Sequence, residues 1–258
     1  GYLEFGVAGA AIATIIGQMT ACLLAIILFR KTSRIKVSLK NFKPNAQIIK
    51  NIYSIAIPSG VMTSLPSILV ALLNSLLATV SQTAIAFFGI YFKLQSFIYM
   101  PANGLIQGMR PLISYNYGAR HFDRVKKIIK VSIISTAVIL CCGTIIFMGL
   151  PELVLSWFNA TEQLLEIGII GLRVISPCFI LSTMGVVISG VFESLGKGRQ
   201  SLTISLLRQF IITLPLAYIL LKVIGLNGIW LSFVIAEGIA SVIAVILIKK
   251  ELHNFKVD

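Results

Sequence analysis

A stripe of mostly polar side chains runs along one of the apolar segments of the sequence. Its members follow one another at steps of three and four residues: Lys93, Ser96, Met100, Asn103, Gln107, Arg110 and Ser114. This spacing places them on one face of a helix whose other faces carry apolar or small residues. Such a helix is typical of one that lines a water-filled cavity inside a membrane protein. The candidates for substrate contact are Asn74, in the preceding segment, and Lys93, Ser96, Met100, Asn103 and Gln107.

Charged residues inside apolar segments are the second chemical signal, because an ionisable group in hydrocarbon costs several kcal/mol. The candidates are Lys93, Arg173 and Glu237. Lys93 falls roughly 13 Å into its helix at 1.5 Å per residue. Two interpretations of Lys93 stay open: a cavity group that changes its carboxylate partner with protonation or substrate, or half of a fixed ion pair, with Glu237 as candidate partner. Arg173 lies nearer a helix end, from which it can reach the membrane interface.

Prolines interrupt the same segments and are candidates for helix kinks. They are Pro58, Pro66, Pro101, Pro111, Pro177 and Pro215. A proline inside a membrane helix bends it and frees a backbone carbonyl. Such kinks either let half-helices swing during alternating access or act as static bends.

The composition predicts an all-α integral membrane protein, a polytopic helical bundle. Of 258 residues, 57% are hydrophobic and 12% are charged, against about 25% charged in a typical soluble domain; the mean hydropathy is +0.94. The net charge of +13 is spread over links between apolar segments, without the basic and aromatic face that nucleic-acid binding needs. The four cysteines read as buried free thiols, and no metal-ligand spacing is present.

Seven segments are long enough to cross a bilayer, which takes about 20 residues each. They are residues 6–29, 55–80, 84–108, 128–149, 167–192, 202–221 and 226–248. Strongly basic links alternate with links that are uncharged, acidic or, in the sixth link, carry Lys222 alone. This pattern predicts an amino end outside and a carboxyl end in the cytoplasm of a plasma (inner) membrane protein. Because the chain begins at Gly1 in an apolar segment without an initiator Met, we expect it to be part of a longer protein.

An internal repeat relates the first segment to the last. Residues 6–13 align with residues 225–232, both beginning with Gly-x-x-Gly, and the constant offset places Gln18 on Glu237. Both segments also end in two basic residues. This pattern predicts parallel repeats, one closing at the first helix and the other at the last.

The sequence resembles the carboxyl-terminal half of a multidrug and toxic compound extrusion (MATE) transporter, most closely the bacterial MepA-like group. Residues 100–120, MPANGLIQGMRPLISYNYGAR, look like the signature of the eighth helix and the loop after it. Residues 6–14, GVAGAAIAT, look like the sixth helix, and residues 192–199, FESLGKGR, like the exit of the tenth. Arg208, Pro215 and residues 225–230, GLNGIW, fit the eleventh and twelfth.

The resemblance implies twelve helices in two lobes. Residues 1–29 are then the last helix of the amino-terminal lobe, residues 30–54 a basic cytoplasmic linker with an interfacial helix, and residues 55–258 a six-helix carboxyl-terminal lobe with a cytoplasmic tail. The implied activity is antiport: export of small amphipathic or cationic compounds against an inward flow of H⁺ or Na⁺, with no other cofactor. The implied partners are the lipid bilayer, these substrates and the missing amino-terminal lobe, with no nucleic acid.

One departure from the family concerns the coupling ion. Some branches carry a Glu in the seventh helix and an Asp in the tenth, whereas residues 55–80 here contain no acid and the tenth helix has only Glu193 near its end. We therefore expect the essential carboxylate in the absent lobe.

Three other classes of protein remain alternatives. A lipid-linked oligosaccharide or polysaccharide flippase of the same superfamily would carry more basic residues in its cavity than Lys93 and Arg173. An enzyme would need a nucleophile, metal or paired-carboxylate motif, and His121 and His253 both lie outside the apolar segments. A channel would need neither the repeat nor the proline-broken helices. We expect a transporter and no enzymatic activity.

Overall fold

The computed structural model describes residues 6–32, 44–158 and 160–254 of the chain, and the regular elements in these ranges are helices. Their bounds are α1 Gly6–Thr32, α2 Ala46–Ala78, α3 Gln82–Gly118, α4 Phe122–Gly149, α5 Pro151–Ser156, α6 Glu162–Ile175, α7 Pro177–Ser194, α8 Gly198–Leu206, a π turn Leu207–Ile211, α9 Thr213–Ile224 and α10 Leu226–Asn254. Within the described ranges, seven helical stretches are long and apolar enough to cross a membrane. The predicted all-α, polytopic membrane fold is confirmed.

The chain divides into two compact units, residues 1–49 and residues 50–258. In the first unit, the described side chains of α1 are largely exposed and apolar. Residues 33–43 of the predicted linker lie outside the described residues. The second half of that linker begins α2: the Asn45 side chain accepts hydrogen bonds from the backbone N–H groups of Gln47 and Ile48, at 2.9 and 3.3 Å, and so caps the helix. Residues 46–54 form the first turns of α2.

The third predicted segment is longer than the sequence suggested. The predicted end is residue 108, but α3 continues to Gly118 through both Pro101 and Pro111. Neighbouring groups in a membrane bundle can satisfy the carbonyls that a proline frees, so a proline there does not end the helix.

The fifth predicted segment, residues 167–192, consists of two helices. α6 ends at Ile175 and α7 begins at Pro177, which lacks the N–H needed to continue the helix and suits a first helical position. The carbonyl of Ser176 accepts a hydrogen bond from Thr144 Oγ1 of α4 at 3.1 Å. The break is therefore stabilised by a neighbouring helix.

The sixth predicted segment is also interrupted. The π turn Leu207–Ile211 separates α8 from α9. Pro215 cannot donate a hydrogen bond to the carbonyl four residues before it, that of Ile211, and the Thr213 hydroxyl donates to the carbonyl of Arg208. The turn widens the helix at this point and places Arg208 within it.

The second unit has two apolar cores. One is rich in aromatic rings and contains Phe87, Phe88, Tyr91, Phe179 and Trp230. The other is mostly aliphatic, with Ile106, Ile113, Val187 and Ile188 among its members. One face of α2 contributes leucines at every fourth position: Leu65, Leu69, Leu73 and Leu77. These cores hold the helices on which the candidate site residues lie.

Large apolar side chains also cover the outer surface, as a lipid environment requires. On α4, Val131, Ile134, Val138 and Ile145 are all more than half exposed. The prediction that all four cysteines are buried was wrong: all are free thiols, but Cys22 and Cys142 are exposed and Cys141 is partly exposed.

Candidate functional site

A cavity of about 390 Å³ opens between α2, α3, the π turn and α10. Its apolar wall includes three aromatic rings, those of Phe92, Tyr99 and Phe233. Its polar wall consists of Gln95, Ser96, Asn103, Arg208, Gln209, Thr213 and Glu237. We call this space the aromatic cavity. Its volume falls within the usual range for sites that bind small molecules, about 300–1,000 Å³.

A second cavity of about 470 Å³ adjoins the first. The two share lining residues, namely Pro66, Asn103, Val186, Arg208 and Gln209. The second cavity is more polar, and Gln107, Arg110, Glu193 and Ser189 line it. We call it the polar cavity. Together the two cavities follow α3 from Phe92 to Arg110.

An ion pair between Arg208 and Glu237 lies in the wall of the aromatic cavity. The guanidinium Nε is 3.3 Å from Glu237 Oε1, and the two side chains are 20% and 13% exposed. The second carboxylate oxygen, Oε2, is buried and has no hydrogen-bond partner in the part of the chain that the structure describes. The pair joins the π turn to the middle of α10, with a carboxylate whose hydrogen-bonding capacity is only partly used.

Hydrogen bonds to α7 and within α3 orient two side chains of α3 that face the aromatic cavity. The Ser182 hydroxyl donates to the carbonyl of Phe179 at 2.8 Å, so the Tyr99 hydroxyl must donate to Ser182 Oγ, 2.6 Å away. Gln95 Nε2 donates to the Tyr91 hydroxyl at 3.0 Å. These bonds fix Tyr99 and Gln95 at the cavity wall.

Two further ion pairs connect the helices where α7 meets α8. Arg110 lies 2.7 Å from Glu193, joining α3 to α7, and Ser201 Oγ donates to Glu193 Oε1 at 3.0 Å. Lys197 donates to both carboxylate oxygens of Glu251, each at 2.6 Å, and so joins the α7–α8 connection to α10. These contacts link α3, α7, α8 and α10 at this end of the second unit.

A family model described as MatE matches residues 58–219, which is more than half of the chain. The chain belongs to the MatE family. The family predicted from the sequence is therefore confirmed.

The relatives of this MatE chain include curated proteins from staphylococci. It is 31% identical over 256 residues to the multidrug export protein MepA of Staphylococcus aureus (strain bovine RF122 / ET3-1), covering 99% of this chain and 56% of that protein. The identity to MepA of Staphylococcus haemolyticus is 31% over 258 residues, with the same coverage. The chain thus spans about half the length of the curated relatives it matches.

Solved structures share the fold of this MatE chain. An outward-facing multidrug resistance MATE family transporter of the MOP superfamily superimposes with a TM-score of 0.90 at 23% identity, covering 100% of this chain and 58% of that one. A MOP superfamily transporter from Pyrococcus furiosus Vc1 gives 0.90 at 24% identity, covering 99% and 58%. At this identity the likeness shows the fold.

The structure brings together most of the stripe predicted on α3. Ser96, Met100 and Asn103 line the aromatic cavity, and Asn103, Gln107 and Arg110 line the polar cavity. Ser114 donates a hydrogen bond to the carbonyl of Ser194.

Two predicted substrate contacts, Asn74 and Lys93, line neither cavity of this MatE chain. Asn74 is half-buried, and its Oδ1 has no hydrogen-bond partner among the described residues. Lys93 is exposed on α3 and forms no ion pair with another described residue.

The partner suggested for Lys93 is corrected by the structure. Glu237 pairs with Arg208, which the sequence reasoning used only as part of the family resemblance. The signal that singled out Lys93, a cation inside an apolar segment, applies equally to Arg208. Arg173 is exposed in the last turn of α6 and lines neither cavity.

The six prolines predicted to kink helices occupy different positions in the fold. Pro66 lines both cavities, Pro58 and Pro111 line a further cavity beside Arg199, and Pro177 begins α7. Pro101 lies inside α3, and Pro215 lies in the first turn of α9, just after the π turn.

Proposed function

We propose that this chain is the carboxyl-terminal lobe of a secondary active multidrug efflux transporter. The observation that carries the proposal is the aromatic cavity, which combines three aromatic rings with a carboxylate inside a membrane-embedded helical bundle. Relatives that match along nearly the whole chain are named multidrug export proteins. Because the chain spans about half of their length, we propose that an amino-terminal lobe completes the transport site.

The walls of the aromatic cavity suit varied amphipathic substrates. Aromatic rings bind flat apolar groups and, through their π faces, cations. Met100 adds a flexible thioether that adapts to different shapes. Side-chain amides of Gln95, Asn103 and Gln209 offer both donors and acceptors. This combination favours broad selectivity over strict recognition of one compound.

The charges of the two cavities favour drug efflux over the flippase alternative. A flippase for lipid-linked oligosaccharides would need free cations to hold its phosphate groups. Among the described residues, the arginines that line the aromatic and polar cavities, Arg110 and Arg208, are each paired with a glutamate. We accordingly propose export of amphipathic or cationic compounds, and transport rather than catalysis.

For the energy source we propose an inward flow of H⁺ or Na⁺, with the coupling carboxylate in the amino-terminal lobe. We also propose that the protein lies in the plasma (inner) membrane with the amino end of this chain outside and its carboxyl end in the cytoplasm. The support is the concentration of basic residues in every second link, with Lys222 as the exception in the sixth link. The apolar outer surface would then contact the lipid bilayer.

The test is an efflux assay on the natural full-length protein that contains this chain. Bacterial cells lacking their main efflux pumps are loaded with ethidium, and its retention is measured with and without the protein. We expect faster loss of ethidium that stops when an ionophore collapses the proton or sodium gradient. Equal retention with and without the protein in the membrane would contradict the proposed function. Transfer of a lipid-linked oligosaccharide in vesicles, without ethidium export, would favour the flippase.

A further inference from the structure

Glu237 is held less tightly than a buried carboxylate usually is. A carboxylate has about four acceptor sites, yet its contact with Arg208 is a single ion pair of 3.3 Å, and its buried Oε2 has no hydrogen-bond partner among the described residues. Leaving such a group unsatisfied costs free energy. The carboxylate is therefore able to accept a further donor or cation.

Glu251, on the same helix, shows what full pairing looks like in this protein. Both of its carboxylate oxygens accept hydrogen bonds from Lys197, each at 2.6 Å. Glu251 lines neither the aromatic cavity nor the polar cavity. The contrast indicates that the incomplete pairing of Glu237 belongs to the cavity position and is not common to acids on α10.

Arg208 has room to leave Glu237. It lies in the π turn, a kind of helix irregularity that is frequent at functional sites, and its side chain lines both cavities. Asn103 and Gln209 also line both cavities, and Gln209 Oε1 is a buried acceptor without a hydrogen-bond partner in the described part of the chain. The guanidinium can therefore move toward the polar cavity and find new acceptors there.

We propose that Glu237 is a cation-binding residue of this lobe. The guanidinium of Arg208 occupies this site, and a singly charged aromatic cation displaces it from the carboxylate. This rests on the proposed function and names its substrate class and site residues. The aromatic rings of Phe92, Tyr99 and Phe233 line the same cavity as the carboxylate, so the ligand's rings and its charge are recognised together. Displacement leaves the net charge of the site unchanged when the guanidinium moves away, which lowers the cost of admitting a charged ligand.

If Arg208 and the ligand compete for the Glu237 carboxylate, substitutions of Glu237 and of Arg208 should have opposite effects on ligand binding. Removing the carboxylate removes the attraction for the ligand, whereas removing the guanidinium removes its competitor. A purely structural ion pair predicts something else: either single change damages the site, and the neutral double variant repairs it.

The experiment measures binding of tetraphenylphosphonium, a singly charged aromatic cation, to the purified full-length protein. The variants are E237Q, R208Q and the double variant, with E251Q as the matched control on the same helix. We expect about tenfold weaker binding for E237Q, roughly threefold tighter binding for R208Q, and the double variant to match E237Q. E251Q should stay within about twofold of the parent protein. Binding of uncharged triphenylphosphine oxide should not change in any variant.

Several results would overturn the proposal while leaving the proposed function intact. One is export by the parent protein together with unchanged tetraphenylphosphonium binding by E237Q. Another is weaker or unchanged binding of tetraphenylphosphonium by R208Q. This result contradicts the proposal even if E237Q does not fold. A third is recovery of parent affinity for tetraphenylphosphonium in the double variant. A fourth is an E237Q variant that changes only the ion dependence of transport and not tetraphenylphosphonium binding. A parent protein that neither binds nor exports organic cations would instead contradict the proposed function.

Discussion

The ring of Trp230 lies edge to face against the ring of Phe87, with 5.1 Å between their centroids. Both side chains are fully buried. Phe87 also lies directly on the backbone of α6: a Cβ atom added to Gly171 would be 2.4 Å from the Phe87 ring. The two contacts of the Phe87 ring thus fix the spacing of α3, α6 and α10.

We therefore expect Gly171→Ala to destabilise the protein by about 1–3 kcal/mol, the usual cost of overpacking a core. Adding Phe87→Leu should recover part of that loss, because the smaller side chain leaves room for the new methyl group. Gly89→Ala is the control, since among the described residues nothing beyond its own stretch of helix lies within 4 Å of the added Cβ. Thermal unfolding of the detergent-solubilised full-length protein gives the measurement. Independent, additive effects of the two changes would show that Phe87 and Gly171 are not in contact.

The ion pair between Lys197 and Glu251 should respond asymmetrically to substitution. The Glu251 side chain is 9% exposed and that of Lys197 is 33% exposed. Lys197→Met leaves a buried carboxylate without its partner, which costs about 3–5 kcal/mol. Glu251→Gln leaves an ammonium that water still reaches, so we expect a smaller loss of about 1 kcal/mol.

The control for this pair is Lys250→Met, which removes an exposed cation next to Glu251. It should change the unfolding temperature very little. Equal losses from Lys197→Met and Glu251→Gln would mean that water solvates the carboxylate as well as it solvates the ammonium.

Much of this architecture follows from the sequence, because a bilayer imposes strong rules on composition. The apolar segments had to be helices about 20 residues long, and Ser96, Asn103 and Gln107 had to share a face under the helical period. The structure places all three in the walls of the cavities. Periodicity within one helix is local information, and the sequence holds it directly.

What the sequence did not provide depends on contacts between helices. The break at Ser176, for example, involves the hydroxyl of Thr144 on another helix. Pairing Glu237 with Arg208 instead of Lys93 required the relative rotation of separate helices about their axes. Hydrophobic periodicity shows which face of a helix is polar, but not which other polar face it meets.

The hydrogen bond between Tyr99 and Ser182 should be measurable as an energetic coupling. Tyr99→Phe and Ser182→Ala each remove one side of a 2.6 Å contact. In a double-mutant cycle on thermal stability, we expect a coupling of about 0.5–1.5 kcal/mol. Tyr99→Phe should also slow ethidium export, because the ring that it releases lines the aromatic cavity. A coupling near zero would show that the two hydroxyls do not bond in the membrane.

Lys93 provides the last prediction, in the natural full-length protein. Its ammonium is exposed on α3 and forms no ion pair within the described part of this chain. A charge inside a membrane helix costs about 2.5–3.5 kcal/mol, so we expect it to be compensated by groups beyond this lobe. Lys93→Met should then impair ethidium export without lowering the amount of protein in the membrane, while Lys93→Arg keeps most of the export.

Two further variants serve as controls for Lys93. Because Glu237 pairs with Arg208, Glu237→Gln should not rescue export by Lys93→Met, as it would if the two residues were partners. Lys130→Met removes an exposed cation near the start of α4 and should leave export unchanged. Ethidium retention and membrane abundance, measured side by side, separate a transport defect from an insertion defect. Full export by Lys93→Met at equal abundance would mean that Lys93 is dispensable for transport.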